Sequence, residues 1–305
     1  MTTVETAAGP TTSIREAHVT ESQNPAREIW DNLRRSWAGM IGLTLIVLHL
    51  VIAVISPYIV PYDPQEMNAD VRNQSPSLEH IMGTDKLGRD IFSRSLVGGR
   101  VAILVTILGT GIAMAWGGMV GILLGFVGGR TDEFGMRVVD ALLAIPWLLV
   151  VLLIVSSLGT KVWVQTLTFG FIFGYTMIRV ARAATLDYVT RDFVVAARAR
   201  GEKKRTIVRR ELLPNVRDIL LVDGAMNWSW MLLGFISLSF LGFGVTPPTP
   251  DWGFMIAKNR EIMAIQPWAV FGPVLMMSTL IIGVNLFADA LGKAMGLDRS
   301  QGAPI

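Results

Sequence analysis

A strongly basic stretch interrupts an otherwise apolar chain. It reads RDFVVAARARGEKKRTIVRRELLPN over residues 191–215, and ten Lys and Arg residues fall between Arg182 and Arg217. Side chains of this kind can bind anionic lipid headgroups, each contributing about 1 kcal/mol of attraction. They can also flank an apolar face that docks on another protein, so the other residues of the stretch matter.

Those residues predict a short, bent helical unit. Gly201 ends a first helix because glycine adopts the left-handed conformation without steric cost, and Pro214 is expected to end a second helical segment over 202–213. A loop that only lies on lipid needs neither feature, which favours protein docking; lipid anchoring is the alternative. The first helix has an apolar face at helical spacing, formed by Leu186, Val189, Phe193, Ala196 and Ala197, with basic neighbours Arg191, Arg198 and Arg200.

Polar residues within apolar segments are the second candidate for chemistry, because burying them in lipid is costly. For the acidic ones we expect contact with the membrane interface or pairing with Arg137 or Arg217. For the amides we expect hydrogen bonds between helices. Pore lining is the alternative role for the whole set, which is Asp140, Asp223, Asn227 and Asn285.

Small residues recur at every fourth position between 109 and 129. Such a stripe lets the backbone of a neighbouring helix approach closely. We therefore predict a packing face near a contact with another membrane subunit or a pore wall. Its members are Gly109, Ala113, Gly117, Gly121, Gly125 and Gly129.

Composition places these residues in a membrane protein. Of 305 residues, 51% are hydrophobic and 17% charged, against about 25% charged in a typical soluble domain. The chain has no cysteine and only three scattered histidines, so no metal site is expected. It also lacks the G-x-x-x-x-G-K-[ST] phosphate loop. Because the phosphate loop is missing, ATP hydrolysis is not expected on this chain, and no other catalysis is expected. Nucleic-acid binding is not expected either, since the basic residues cluster in loops between apolar segments.

Six apolar segments approach the roughly 20 residues that a helix needs to cross a bilayer. We therefore predict an all-α integral membrane protein with six transmembrane helices, the fourth being the shortest, and kinks where Pro146 and Pro273 fall inside spans. The segments are 38–55, 101–129, 138–158, 162–178, 219–245 and 268–288.

Orientation follows from the distribution of Lys and Arg, which concentrate on the cytoplasmic side of membrane proteins. With the N-terminus inside, cytoplasmic pieces hold 19 of these residues and outer pieces hold 8. Both termini are therefore predicted to be cytoplasmic. The chain then divides into a disordered tail (1–36), a first helix with its outer loop (37–100), a transmembrane domain (101–291) containing the loop 182–218, and a C-terminal tail (292–305).

The loop resembles the cytoplasmic signature of ATP-binding-cassette (ABC) importer permeases, E-A-A-x3-G-x9-I-x-L-P. Matching residues stand at the right spacings, and two positions depart: Val195 replaces Glu, and Glu211 replaces Ile. The matches are Ala196, Ala197, Gly201, Leu213 and Pro214.

Three further segments resemble the C-type permease subunit of dipeptide, oligopeptide and nickel importers. They are HIMGTDKLGRDIFSRSLVGGRVAI (80–103), PPTPDWGFMI (247–256) and NLFADALGKAMGLD (285–298), the last departing at Gly292 and Lys293. Because peptide, nickel and glutathione importers share these segments, they leave the substrate open.

The resemblance implies an ABC permease fold in the cell membrane and a heteromeric complex. A second permease, two cytoplasmic ATPases that bind ATP and Mg²⁺, an external binding protein and membrane lipid would be the partners. The loop 191–214 would couple this chain to one ATPase, and the outer loop 57–100 would receive the binding protein or act as a solvated linker. A proton-coupled secondary transporter and a membrane anchor without a transport path are alternatives from other classes.

Overall fold

The computed structural model describes residues 25–297, and every regular element in that part of the chain is helical. Short 3₁₀ or π turns join or extend several of the α-helices. The α-helices are α1 (Pro25–Arg35), α2 (Trp37–Ile59), α3 (Ile91–Val97), α4 (Arg100–Ile112), α5 (Gly118–Val127), α6 (Gly129–Leu143), α7 (Trp147–Leu158), α8 (Val162–Val189), α9 (Asp192–Ala199), α10 (Lys204–Ile207), α11 (Leu213–Phe240), α12 (Trp252–Asn259) and α13 (Trp268–Ala294).

Four helical runs within the described residues are long and apolar enough to cross a membrane. A bent pair, α6 with α7, makes a fifth if it counts as one span. Helix α8 contains the predicted fourth segment and has 28 residues, so it is long enough, but it is less apolar than the others. The four runs are Trp37–Ile59, Ile91–Val127, Lys204–Phe240 and Trp268–Ala294.

The predicted third span, 138–158, is broken rather than kinked. Helices α6 and α7 meet at an angle of 76°, with Pro146 immediately before the first residue of α7. Proline has no N–H to donate and forces the residue before it out of the helical conformation. A continuous helix that only kinks at Pro146 was therefore the wrong expectation for this segment.

Close packing of α5 and the π turn before it (Ala113–Gly117) on α8 accounts for the middle of the small-residue stripe. A Cβ built at Gly117 or Gly121 would clash with the carbonyl oxygens of Gly174 and Ile178, and one at Gly125 would lie 3.0 Å from that of Arg182. The stripe therefore packs within this chain. Gly129 is not part of it: its φ is +58° and open space surrounds it, because it begins α6 at the corner after α5.

Alanine substitutions at Gly121 and Gly111 should have opposite effects on stability. At Gly121 the new methyl group clashes with backbone, so we expect a loss of about 1–3 kcal/mol. At Gly111 nothing lies within 4 Å of a Cβ, so removing a helical glycine should stabilise by about 0.5–1 kcal/mol. Thermal unfolding of the purified variants in detergent measures both. Equal shifts of Tm in the same direction would contradict the packing of α5 on α8.

The segment 57–100, which is predicted to lie outside, is folded and not a solvated linker. Asp85 and Arg89 form an ion pair at 2.7 Å, and both side chains are buried. The segment is joined to helix α12 by a hydrogen bond: Nε1 of Trp252 donates to the carbonyl of Ser95 at 2.7 Å. This segment and α12 thus form one structured surface.

Helix occupies part of each predicted tail. The sequence predicts a disordered tail over 1–36 that leads into a short amphipathic segment near Ile29–Trp37, and the structure has helix α1 at Pro25–Arg35. Helix α13 continues to Ala294, beyond the predicted start of the C-terminal tail at 292. The remainder of each tail lies outside the described residues.

Candidate functional site

The predicted first helix of the basic loop exists as α9, and one side of it is anchored to the protein. Val194 and Ala197 are fully buried in an apolar cluster. The guanidinium of Arg198 lies 5.0 Å from the ring centroid of Phe126 at the end of α5, a cation–π distance. The buried neighbours of this anchor come from α8, α10, α11 and the π turn between the last two, and include Ala184, Ile207, Val208, Leu212 and Val216.

Gly201 ends α9 as expected. Its φ is +72°, its N–H donates to the carbonyl of Arg198 at 3.0 Å, and the N–H of Glu202 donates to that of Ala197 at 3.2 Å. This pair of bonds is the Schellman arrangement, which requires a left-handed residue at that position. The turn therefore fixes the direction in which the chain leaves α9.

The opposite side of α9 is open to solvent in the isolated chain. Phe193 is 37% exposed and Val195 52% exposed, and Ala196 is exposed between them. Basic side chains border them, with Arg191 and Arg200 both exposed. The predicted apolar face is thus divided, since Ala197 is buried while Phe193 and Ala196 point outward. We call the exposed residues 193, 195 and 196 the α9 patch.

Pro214 does not end a helix, which corrects the sequence-based expectation. It lies in the first turn of α11, and a π turn at Val208–Leu212 joins α10 to α11 in one run, Lys204–Phe240. A widened turn relieves the clash that a proline ring makes with the carbonyl four residues earlier. Glu211 lies in this turn, and its carbonyl accepts a bond from Asn215 Nδ2 at 2.5 Å.

The acidic residues of the helices pair differently from expectation. Asp140 pairs with Arg179 at 2.5 Å, because Arg137 is already taken by Glu133 at 2.5 Å. Asn285 is exposed on α13. Residues on facing helices thus supply partners that positions near in sequence do not.

Asp223 and Asn227 lie together at a cavity of about 630 Å³ beside the break between α6 and α7. Asn227 Nδ2 donates to Asp223 Oδ2 at 2.8 Å, and Thr176 donates to Asn227 Oδ1 at 3.4 Å. Arg217, an expected partner of Asp223, instead pairs with Asp218 at 3.4 Å. The rest of the lining is mostly apolar and aromatic, including Trp147, Phe173, Tyr175 and Trp230.

One ion pair of this region was missed from the sequence. The guanidinium of Arg182 donates to both carboxylate oxygens of Asp132, at 2.5 and 2.6 Å. It joins α6 to α8 where the basic loop begins. The two residues are 50 positions apart, and neither stands in a motif, so no sequence signal pointed to the pair. Among residues 25–297 no group of three or more His, Asp or Glu side chains is placed to hold a metal.

Comparisons with known proteins match nearly the whole chain. Residues 117–297 fit the family described as binding-protein-dependent transport system inner membrane component. Residues 24–76 fit the N-terminal transmembrane domain of oligopeptide transport permease C.

Named relatives cover about nine tenths of the chain at 28% to 33% identity. A di/tripeptide transport system permease of Pseudomonas aeruginosa is 32% identical over 278 residues, which are 89% of this chain and 92% of the relative. A glutathione transport system permease of Escherichia coli is 33% identical over 274 residues, 90% of both chains. An oligopeptide transport system permease of Haemophilus influenzae is 28% identical over 283 residues, 91% of both.

Proposed function

The chain belongs to the family of inner membrane components of binding-protein-dependent transport systems, and we propose that it is the permease subunit of an ABC importer for di- and oligopeptides. In this role it forms half of a translocation pathway and catalyses no reaction itself. The names of the relatives mention di/tripeptides, oligopeptides and glutathione, which supports a short peptide as the substrate. Glutathione and nickel chelates are the alternative substrates.

We propose that six helical segments cross the membrane and that both termini are cytoplasmic. Helix α8 and the bent pair α6–α7 are then spans beside the four more apolar runs. The excess of Lys and Arg in the pieces assigned to the inside, 19 against 8, supports this orientation. The α9 patch then faces the cytoplasm, and the folded segment 57–100 faces outward, where it would receive a binding protein.

The observation that carries the proposal is the exposed α9 patch on a rigidly anchored helix. In this orientation it is available to a cytoplasmic partner, for which we propose one of two ATPases that bind ATP and Mg²⁺. A second, related permease would complete the pathway. Because Val195 is 52% exposed and stands where the signature has Glu, its departure alters the docking surface and leaves the packing of α9 intact. We expect an apolar contact on the ATPase at this point.

Replacing Phe193 by alanine should uncouple transport without unfolding the chain. Phe193 is an exposed aromatic residue at the proposed contact, where truncation of a hot-spot residue costs about 2 kcal/mol or more. We expect ATP-driven uptake to fall by roughly 30-fold with Tm unchanged. The assay is peptide uptake and ATPase stimulation in proteoliposomes that contain the assembled complex.

Val194→Ala is the matched control, because Val194 is the buried neighbour of Phe193 in the same helix. It should lower Tm through the cavity it leaves. Full uptake and full ATPase stimulation by the Phe193→Ala complex would contradict a docking role for the α9 patch.

A further inference from the structure

The cavity beside the helix break combines a carboxylate with an aromatic wall. Asp223 and Asn227 lie on α11, one turn apart, and line it together with Trp147, Phe173 and Trp230. Its volume of about 630 Å³ falls within the roughly 300–1,000 Å³ of small-molecule sites. The geometry therefore suits a compact organic ligand better than an ion alone.

The carboxylate of Asp223 has no cationic partner among residues 25–297. No Lys, Arg or His nitrogen lies within ion-pair distance of it, whereas Asp132 and Asp140 are both paired with arginines. Its one side-chain hydrogen bond comes from Asn227 at 2.8 Å. A carboxylate offers about four lone-pair sites, so most of its capacity to accept bonds is free.

The position of Asp223 makes an unpaired charge unusual. It lies four residues after Ile219, the first residue of the predicted apolar segment 219–245, and thus about 6 Å into that segment at 1.5 Å per residue. An ionisable residue inside a membrane segment is costly and normally faces a partner or a pathway. Here the partner is not supplied by the described chain, and the cavity is where one could enter.

The surrounding aromatic rings complement a cation. Trp147 and Phe173 lie with ring centroids 5.6 Å apart in an edge-to-face arrangement, and Trp230 is 65% exposed. Faces of Trp and Phe attract ammonium groups. A carboxylate, an amide acceptor and aromatic faces in one cavity are the elements that recognise a protonated primary amine.

We propose that this cavity is a substrate site in which Asp223 and Asn227 bind the protonated amino terminus of the transported peptide. The inference rests on the proposed peptide transport and adds a recognition element within the membrane. Acetylation of the peptide's amino terminus should abolish this recognition by Asp223 and Asn227, because an acetylated amine carries no charge.

The test is equilibrium binding to the assembled complex in nanodiscs, without binding protein or nucleotide. The probes are radiolabelled trialanine and N-acetyl-trialanine. For the wild type we expect trialanine to bind about tenfold more tightly, a factor that corresponds to about 1.4 kcal/mol, because only its amine can donate a charge-assisted hydrogen bond. Asp223→Asn should remove the difference, and Asp223→Glu, which keeps the charge, should retain part of it.

Asp289→Asn is the matched control, since Asp289 is an exposed carboxylate on α13 that does not line the cavity. It should preserve the preference for trialanine. Equal binding of both probes by the wild type, or an unchanged preference in Asp223→Asn, would overturn the site, as would undetectable binding because a partner subunit fills the cavity.

ATP-driven peptide uptake in the same preparations separates the two levels of the hypothesis. Normal uptake combined with either of those binding results removes only the Asp223 site. Absence of peptide uptake by the wild-type complex, with its binding protein present, removes the proposed function itself.

Discussion

Gly201→Ala should lower ATP-driven uptake by roughly 5- to 30-fold, the factor that corresponds to about 1–2 kcal/mol. Gly201 holds φ at +72°, and a side chain in the left-handed region costs about 1–2 kcal/mol. No atom lies within 4 Å of a Cβ built there, so a clash cannot be the cause. The strain acts on the turn that orients α9. The loss is measured as ATP-driven peptide uptake, together with initial ATPase rates, in proteoliposomes.

Two variants separate turn geometry from general destabilisation. Gly201→Asn should retain more uptake than Gly201→Ala, because asparagine tolerates the left-handed conformation better. Gly296→Ala supplies the matched control: Gly296 follows α13 with φ +74° and open space around it, but lies outside the basic loop. Wild-type uptake by Gly201→Ala, or an equal loss in Gly296→Ala, would show that the turn does not transmit coupling.

Breaking the Asp132–Arg182 ion pair, which joins α6 to α8 where the basic loop begins, should strongly destabilise the protein. Their side chains are only 10% and 29% exposed, so Asp132→Asn leaves a poorly solvated guanidinium without its partner. Removing one member of a buried pair costs about 3–5 kcal/mol, and we expect about 3 kcal/mol here because Arg182 retains some solvent contact. Unfolding of the purified chain in detergent, followed by helical circular dichroism, gives the free energy.

The neighbouring pair on the same helix provides the comparison. Glu133 and Arg137 are 63% and 75% exposed, so Glu133→Gln should change stability by less than about 0.5 kcal/mol. In a double-mutant cycle, Arg182→Gln added to Asp132→Asn should cost far less than it does alone. Additive losses would mean that the two side chains do not interact in the folded protein.

The sequence predicts those structural elements that depend on one residue or on the composition of one segment. Gly201 ends α9 because its conformational preference is a property of one residue, and the apolar runs give most of the long helices because burial in lipid depends on composition. The same reasoning went wrong at prolines. Pro146 breaks a span that was expected only to bend, whereas Pro214 is absorbed by a π turn, and the difference lies in backbone adjustments that no residue pattern encodes.

Pairing between distant residues could not be predicted. Asp140 was assigned to Arg137 or the interface because those are near in sequence, but Arg179 faces it from α8. Likewise the cavity at Asp223 depends on the 76° bend between α6 and α7. Such contacts arise from how helices pack, which a single sequence does not reveal.

Cysteine crosslinking at Val195 tests the central claim most directly, namely that α9 seats on a cytoplasmic ATPase. The chain has no cysteine, so Val195→Cys introduces a unique thiol on the α9 patch. We predict that in intact cells it resists a membrane-impermeant maleimide added outside and, in membranes of those cells, forms a crosslink to the ATPase subunit. Labelling from outside, or no ATPase crosslink in a complex that transports normally, would contradict it.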